Sequence, residues 1–311
     1  MSSPDPSPPV TAPNRAGYLM LLGSVILLGA GFHLVKAGLA GCPPSTAVFI
    51  VPLSATLSVI VGGAVARALG ITAGGFHRAR PLGAITRTIR DWRLLLPATG
   101  AGLVGGWLVT VTNDIYGPSI VAFLNNGTIV FLVISGMLLG DSVSRREMAL
   151  IVLVIAGAFM FAYTGQTLAW TALGLMGLAC VGTSIKHVLL KRVADGGDLW
   201  EMMASQQFLM ACWAAALSPL TGGLVMPDLR SLAFLVITGF AQSFIGMGLL
   251  YAGYREVGIA RGAPIYAMRP LVVLVIGLGI GAALPGPVQL VGGAMVLAGS
   301  AILAGTRKGS T

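Results

Sequence analysis

Three cationic side chains lie within long apolar segments of this sequence: Lys36, Lys186 and Arg269. The segments contain no aspartate or glutamate away from their ends, and Asp114 comes closest to membrane depth. Inserting an arginine near the centre of a membrane helix costs about 2.5 to 3.5 kcal/mol, so such a cation should face protein or water. A buried cation without a protein carboxylate can pair with an anionic group of a ligand. The sequence therefore predicts a binding site for a small molecule that carries a carboxylate, phosphate or similar group.

Polar and aromatic residues near these cations extend the candidate site. His33 shares a helical face with Lys36, three residues later. Asn125 and Asn126 lie near the midpoint of one apolar segment. We predict the following substrate-binding residues: Arg269, Lys36, His33, Asn125, Asn126, Tyr266, Lys186 and Trp107.

Two prolines make the surroundings of Arg269 unusual. Pro270 lacks an amide hydrogen, so in a continuous helix the carbonyl of Tyr266 would lose its partner; Pro264 would do the same to Ala260. A polar, kinked segment is tolerated in a membrane only where it is buried in protein or lines a cavity. We therefore expect a kink beside Arg269.

Each candidate residue also has a purely structural explanation. Arg269 could extend to lipid headgroups or cap a neighbouring helix, and Lys36 and Lys186 lie close enough to segment ends to reach an interface. Membrane asparagines often bridge helices. His33 could be a hydrogen-bonded packing residue or take part in proton transfer, and Trp107 could simply pack against other helices. These alternatives remain open from the sequence alone.

Ten apolar segments must position these side chains. A membrane helix needs roughly 20 mainly apolar residues. The composition, 56% hydrophobic and 9% charged, with a mean hydropathy of +0.89, excludes a water-soluble globule. The predicted fold is an all-α polytopic membrane protein with ten transmembrane helices, at 16 to 40, 44 to 69, 94 to 113, 116 to 139, 148 to 164, 168 to 190, 200 to 219, 231 to 253, 262 to 283 and 288 to 305.

The basic residues predict how the chain is oriented. With the N-terminus inside, 15 of the 19 lysines and arginines fall on cytoplasmic segments, so we predict an N-in, C-in protein of the inner (plasma) membrane. The net charge of +9 is explained by anionic lipid headgroups and not by nucleic acid, because the basic residues flank the apolar segments. Residues 1–14 and 307–311 are expected to be cytoplasmic tails, the first of them disordered.

An internal repeat divides the apolar region into two halves, 15–164 and 165–306. The segment from Gly117 to Asp141 aligns with the segment from Gly258 to Ala282, placing Asn125 over Tyr266. Five segments in each half is an odd number, so the second half should enter the membrane from the opposite side. Inverted repeats of this kind recur in secondary transporters.

The sequence resembles the drug/metabolite transporter superfamily, and in particular its EamA-type members. The resemblance lies in LLGAGFHLVKAGLAGCPPSTAVFI, in YGPSIVAFLNNGTIVFLVISGMLLGDSVSRREMALIVLVIAGAFM and in LLKR at 189–192, and it covers nearly the whole chain from Arg15. It implies ten helices in two inverted halves around a central cavity, and transport of small metabolites, often export. The chain departs from the family pattern at Asp141, where a glutamate is usual, and at Lys186, which replaces an aromatic residue.

These observations predict a secondary transporter for a small polar metabolite with an anionic group, acting as an exporter or exchanger by alternating access. We expect facilitated transport or exchange, because membrane carboxylates that could couple protons are missing. No cofactor, metal site or enzymatic nucleophile is predicted, and the expected partners are a small-molecule substrate and the lipid bilayer. The alternatives are an exporter of amino acids or drugs with a zwitterionic or neutral substrate, or a non-transporting receptor or scaffold.

Overall fold

The computed structural model describes residues 15–70, 81–131, 134, 144–163, 169–194, 198–257 and 265–306, and these residues form helices and turns without a β-strand. The helices are α1 (Arg15–Gly38), α2 (Pro44–Ala68), α3 (Pro81–Arg90), α4 (Trp92–Tyr116), α5 (Pro118–Asn125), α6 (Arg145–Phe161), α7 (Trp170–Ala194), α8 (Leu199–Leu217), α9 (Leu229–Thr238), α10 (Met247–Val257), α11 (Arg269–Gly279) and α12 (Pro287–Thr306). A π-helical segment, Gly239–Gly246, joins α9 to α10, and 3-10 turns follow α1 at Leu39–Gly41 and α8 at Ser218–Leu220.

Five helices are long and apolar enough to cross a membrane, and they identify an integral membrane protein. They are Arg15–Gly41, Pro44–Ala68, Trp92–Tyr116, Trp170–Leu190 and Leu229–Tyr254. Shorter apolar helices occupy Pro118–Phe131, Ile265–Gly279 and Pro287–Ile302. A helix overlaps each of the ten predicted segments, whereas crossing by all ten stays a prediction. The predicted tails, 1–14 and 307–311, lie outside the described residues, as does Asp141.

Side-chain caps explain where several helices begin. Ser144 accepts a hydrogen bond from the amide of Glu147, whose carboxylate accepts one from the amide of Ser144 in return, and α6 starts at the next residue. Asp198 caps α8 by accepting from the amides of Trp200 and Glu201. Such caps satisfy amides that have no partner in the first helical turn.

The helix α1 packs antiparallel against α9, the π-helical segment and α10 along its whole length. Glycines allow the close approach: a Cβ on Gly17 would lie 2.7 Å from Cβ of Glu256, and one on Gly38 would lie 2.6 Å from a methyl of Leu235. Small residues let membrane helices approach closely enough for extensive van der Waals contact. The pairing fixes the position of the α1 face that carries the candidate residues.

The helices α4 and α7 form a second antiparallel pair with similar chemistry. A Cβ on Gly105 would lie 2.9 Å from the carbonyl oxygen of Ala179, and one on Gly182 would lie 2.7 Å from that of Ala101. Gly102 faces the aliphatic chain of Lys186 in the same interface. The interface therefore depends on glycine, since a side chain at Gly105 or Gly182 would meet backbone.

Three further pairs complete the packing: α2 with α8, α5 with α11, and α6 with α12. The last pair meets through two glycines, because a Cβ on Gly157 would lie 2.7 Å from the carbonyl oxygen of Gly292, and one on Gly292 would lie 2.6 Å from that of Gly157. In each of these three pairs, one helix belongs to the first half of the chain and the other to the second half.

Two connecting segments reach the start of a helix in the other half of the chain. In α3, which lies between the second and third predicted segments, Arg87 is buried and donates from Nη1 to the carbonyl of Asp198, 3.1 Å away, at the start of α8. Between α8 and α9, the backbone of Val225 exchanges hydrogen bonds of 3.0 and 3.1 Å with Thr46, near the start of α2. Both segments therefore connect the two halves.

Candidate functional site

Arg269 occupies the first position of α11, which follows the helical residues Ile265–Ala267 and a turn at Met268 that interrupts the helix. The sequence predicted one segment, 262 to 283, with a kink inside it. The structure places the break before Arg269, so Pro270 lies in the first turn of a new helix. Its missing amide hydrogen costs nothing there, because first-turn amides have no intrahelical acceptor. From this interruption, the Arg269 side chain extends into the protein interior.

The guanidinium group of Arg269 is buried and held by two aromatic rings. Arg269 is 5% exposed, and its Nη1 donates a hydrogen bond of 2.8 Å to the hydroxyl of Tyr266. Its Cζ lies 4.8 Å from the ring centroid of Tyr266 and 5.3 Å from that of Phe32, distances at which cation–π attraction contributes. The explanation in which Arg269 extends to lipid headgroups does not fit this burial.

The charge of Arg269 is only partly satisfied by its surroundings. Its Nε is buried and has no hydrogen-bond partner, and no carboxylate among the described residues pairs with it. A buried charge without an ionic partner is unfavourable in a low-dielectric interior. The guanidinium therefore has unused donor capacity inside the protein.

One face of α1 contributes residues at the helical spacing of three and four: Gly29, Phe32, His33 and Lys36. A Cβ on Gly29 would lie 2.9 Å from a methyl of Val272, so glycine lets α11 approach α1 beside Arg269. His33 Nε2 donates to the carbonyl oxygen of Val273, 2.8 Å away. His33 thus links α1 to α11, which agrees with the structural explanation of this histidine.

The two asparagines lie where the fourth predicted segment is interrupted. α5 ends at Asn125, and Asn126 and Gly127 form a turn. The buried Asn126 donates from Nδ2 to the carbonyl of Ala267, 2.8 Å away, while its Oδ1 has no partner. Asn125 is half-buried and accepts a long hydrogen bond of 3.5 Å from Thr128. Asn126 therefore connects the broken fourth segment to the broken ninth segment.

Lys36 has a protein counter-ion, which corrects the sequence prediction. Its Nζ lies 3.1 Å from Oδ1 of Asp114 and also donates to the backbone carbonyl of Asp114. The prediction treated all three membrane cations as unpaired because every acidic residue, Asp114 included, falls outside the predicted segments or at their ends. Packing brings their C-terminal ends together, and Asn113 adds a hydrogen bond of 2.9 Å to the carbonyl of Phe32. A role for Lys36 in substrate binding stays a prediction.

Lys186 and its neighbour His187 lie half-buried on α7 without a hydrogen-bond or ion-pair partner in the part of the chain that the structure describes. The aliphatic chain of Lys186 packs against Gly102 of α4. The imidazole of His187 is within electrostatic range of both Lys186 and Arg269. Lys186 is therefore a second membrane cation without a protein counter-ion among the described residues.

Trp107 is half-buried on α4 and packs against two apolar clusters, one with Phe32 and one with Val48 and Ala214. This surrounding agrees with a packing role, and Trp107 has no recorded contact with Arg269. Of the predicted residues, the structure brings together Arg269, Tyr266, Asn126 and His33 along the contact of α11 with α1 and α5.

Sequence reasoning missed Phe32, Asn113 and Tyr254. Phe32 flanks the guanidinium, and Tyr254 packs in one apolar cluster with Tyr266 and lies within electrostatic range of Arg269. The buried Asn113 has an unpaired Oδ1. Asn113 could have been found, since a buried amide in an apolar helix is itself a signal. Phe32 gives no such signal, because an aromatic residue in an apolar segment is ordinary.

The arrangement offers a fixed guanidinium with an unused donor and two unpaired amide oxygens, those of Asn113 and Asn126. It suits hydrogen bonding and ion pairing with a small polar molecule that carries negative charge. Among the described residues, no group of three or more histidine, cysteine, aspartate or glutamate side chains could hold a metal ion.

No protein-family model and no curated protein matches this chain. Twenty-one chains of solved structures are similar to it. One, a crystal structure described only as that of a protein, has a TM-score of 0.63 and 15% sequence identity, with 94% of this chain and 97% of the other covered. At this identity the similarity establishes the fold alone, and it extends over almost the full length of both chains.

Proposed function

We propose that this protein is a secondary transporter that moves a small metabolite with an anionic group across the inner (plasma) membrane. It acts by alternating access, as an exporter or exchanger, and it belongs with the EamA-type drug/metabolite transporters that its sequence resembles. The observation that carries the proposal is the buried guanidinium of Arg269 at the interruption of the ninth segment, which has no carboxylate partner among the described residues.

Helix packing supports an inverted repeat as the basis of alternating access. If the two five-segment halves are related by a two-fold axis, a segment that lies beside the axis contacts its own counterpart in the other half. The observed pairs α2 with α8, α5 with α11 and α6 with α12 fit this expectation. The pair of α1 with α9 and α10 should then match the pair of α7 with α4, and both pairs are antiparallel and glycine-lined.

The hydrogen bond between Asn126 and Ala267 supports the same two-fold relation between the halves at the level of single residues. The sequence alignment of the halves, which places Asn125 over Tyr266, also places Asn126 over Ala267. These two aligned residues are hydrogen-bonded, as residues on a two-fold axis can be. Interrupted segments at equivalent places, next to the substrate, are a recurrent feature of transporters with inverted repeats. We propose ten membrane crossings with both termini inside, in line with the distribution of basic residues.

The charge of the site supports an anionic cargo. Lys36 is neutralised by Asp114, so Arg269 and Lys186 supply the positive charge that has no protein counter-ion among the described residues. Binding an anion would satisfy the Nε donor and compensate the buried charge in one step. The proposal therefore assigns the anion to Arg269, and it no longer needs Lys36 as a direct ligand.

The test is uptake by purified protein in liposomes, with a panel of anionic, zwitterionic and neutral metabolites. We expect accumulation or exchange of an anionic metabolite, and loss of that flux in Arg269→Gln. The control is Arg230→Gln, which removes an arginine whose guanidinium lies over Phe234 at the start of α9. Unchanged flux in Arg269→Gln would refute the role of Arg269. Specific binding without any flux would instead indicate a receptor.

A further inference from the structure

The side edge of the Arg269 guanidinium group is the edge on which neither donor nitrogen has a hydrogen-bond partner among the described residues. A guanidinium offers two edges to a planar acceptor: the end formed by Nη1 and Nη2, and the side formed by Nε and Nη2. Nη1 is occupied by the hydroxyl of Tyr266 at 2.8 Å. Nε is buried without a partner, and Nη2 has no recorded partner among the described residues. The side edge is therefore the one left for a ligand.

The two aromatic rings also restrict the shape of the ligand. The ring centroids of Tyr266 and Phe32 lie 4.8 and 5.3 Å from Cζ of the guanidinium. A carboxylate lies in the plane of the guanidinium when both of its oxygens accept hydrogen bonds. A phosphonate or sulfonate has a third oxygen outside that plane, and the ring carbons of Tyr266 and Phe32 offer that oxygen no donor.

We propose that Arg269 binds a carboxylate of the cargo through its Nε–Nη2 edge, and that Tyr266 determines this selectivity by occupying Nη1. The inference rests on the proposed transport function and deepens it, because it names the anionic group. Tyr266 is thus a positioning residue: it holds the guanidinium in one orientation and removes the end edge from competition. Without its hydroxyl, the end edge is free and anions of other shapes gain a second way to bind.

The experiment compares matched anions on one carbon skeleton: butyrate, 1-propanesulfonate and propylphosphonate, with butyramide as the uncharged control. Binding is measured as the concentration dependence of the rise in apparent thermal stability, and as inhibition of cargo flux in liposomes. For the unmodified protein we expect butyrate to bind about tenfold more tightly than either tetrahedral anion, equivalent to about 1.4 kcal/mol. Equal binding of the three anions would overturn the proposal.

Two variants separate orientation from charge. Arg269→Lys keeps the charge and loses the planar edge, so anion binding should persist with little preference for butyrate. Tyr266→Phe should lower the ratio of butyrate to sulfonate affinity about tenfold through better sulfonate binding. A purely structural role for Tyr266 would weaken all three anions equally, and that result would refute the positioning role.

Tyr18→Phe is the matched control, because it removes a hydroxyl in the same apolar cluster and should leave the ratio unchanged. If Tyr266→Phe does not fold, Phe32→Leu removes a ring beside the guanidinium and should lower the same ratio. An unchanged ratio in Phe32→Leu would then refute the restriction by the rings.

Flux of a sulfonate or phosphonate metabolite without flux of carboxylates would refute this inference and leave the proposed function intact. Absence of flux for every anion would refute the proposed function.

Discussion

Lys36 and Arg269 are both membrane cations on helices that contact each other, yet their surroundings differ. Lys36 lies near the C-terminal end of α1, where its side chain and that of Asp114 are 40% and 43% exposed and form an ion pair of 3.1 Å. Arg269 begins α11, is 5% exposed and has a tyrosine hydroxyl as its hydrogen-bond acceptor. One cation is neutralised by the protein, and the other is held with part of its donor capacity unused.

The difference indicates which charge belongs to the structure and which to a ligand. An ion pair at a half-exposed position keeps two helix ends together at small cost, because neither charge is fully desolvated. A buried guanidinium without a carboxylate lowers the stability of the empty protein, and a cargo can recover that energy on binding. A membrane cation therefore indicates a ligand site only where no protein group already compensates its charge.

The largest effect should come from replacing each cation by glutamine. Loss of one member of a buried charged interaction costs about 2 to 5 kcal/mol, so Arg269→Gln should lower anion flux by a factor of roughly 30 or more. Its thermal stability without ligand should stay the same or rise, because an uncompensated charge is removed. Lys36→Gln should instead keep most flux and lose stability. Liposome uptake measures the flux of each variant, and thermal unfolding measures its stability. The reverse pattern of the two variants would contradict the comparison.

A valine at Gly29 should separate α1 from α11 and disturb Arg269 without touching its charge. A Cβ at this position would lie 2.9 Å from a methyl of Val272 and 3.5 Å from the carbonyl of Arg269. Overpacking of this kind costs about 1 to 3 kcal/mol, and it should move the guanidinium away from Phe32. We expect lower thermal stability and weaker anion binding. Gly106→Val is the control, because a Cβ there has open space around it.

Asn126→Ala tests the link between the two interrupted segments. Membrane hydrogen bonds contribute about 0.6 to 2 kcal/mol, so loss of the Asn126–Ala267 hydrogen bond should lower the free energy of unfolding by that amount. The neighbouring Asn125→Ala, which removes only a long hydrogen bond with Thr128, should cost less. Chemical denaturation in detergent distinguishes the two, and equal losses would mean that the Asn126 hydrogen bond contributes little.

The smallest effect should come from the ion pair. Lys36→Asp alone places two acidic groups together, whereas the double variant Lys36→Asp with Asp114→Lys restores an opposite-charge pair. A half-exposed pair is worth about 0.2 to 1 kcal/mol, so the single variant should lower the melting temperature by a few degrees and the double variant should recover part of that loss. Failure of the double variant to recover any stability would indicate that the pair contributes nothing.

Much of the fold could be predicted from the sequence because apolar length is a local property. The structure has a helix at each of the ten predicted segments, and five of them are long and apolar enough to cross a membrane. The interruptions at Asn126–Gly127 and at Met268 were less predictable. Pro270 indicated a break near Arg269, but a proline fits either a kink inside a helix or the first turn of a new one, and contacts with other helices decide between them.

The candidate site was predictable only in part, for a similar reason. A cation in an apolar segment is recognisable from the sequence alone, so Arg269 and Lys36 were both predicted as site residues. Whether such a cation has a partner depends on residues far away in sequence: Asp114 is 78 positions from Lys36. Phe32 contacts a guanidinium that comes much later in the chain, and nothing in its own surroundings predicts that contact.

The sequence by itself determined that the chain is apolar, helical and membrane-bound, and that its cations lie in the apolar segments, because hydropathy and charge are properties of neighbouring residues. Only the tertiary structure decided that Lys36 is neutralised and that Arg269 is buried, oriented and partly unpaired. The physical reason is that the energy of a charge in a membrane depends on the groups within a few ångströms of it, and helix packing assembles those groups from distant parts of the chain.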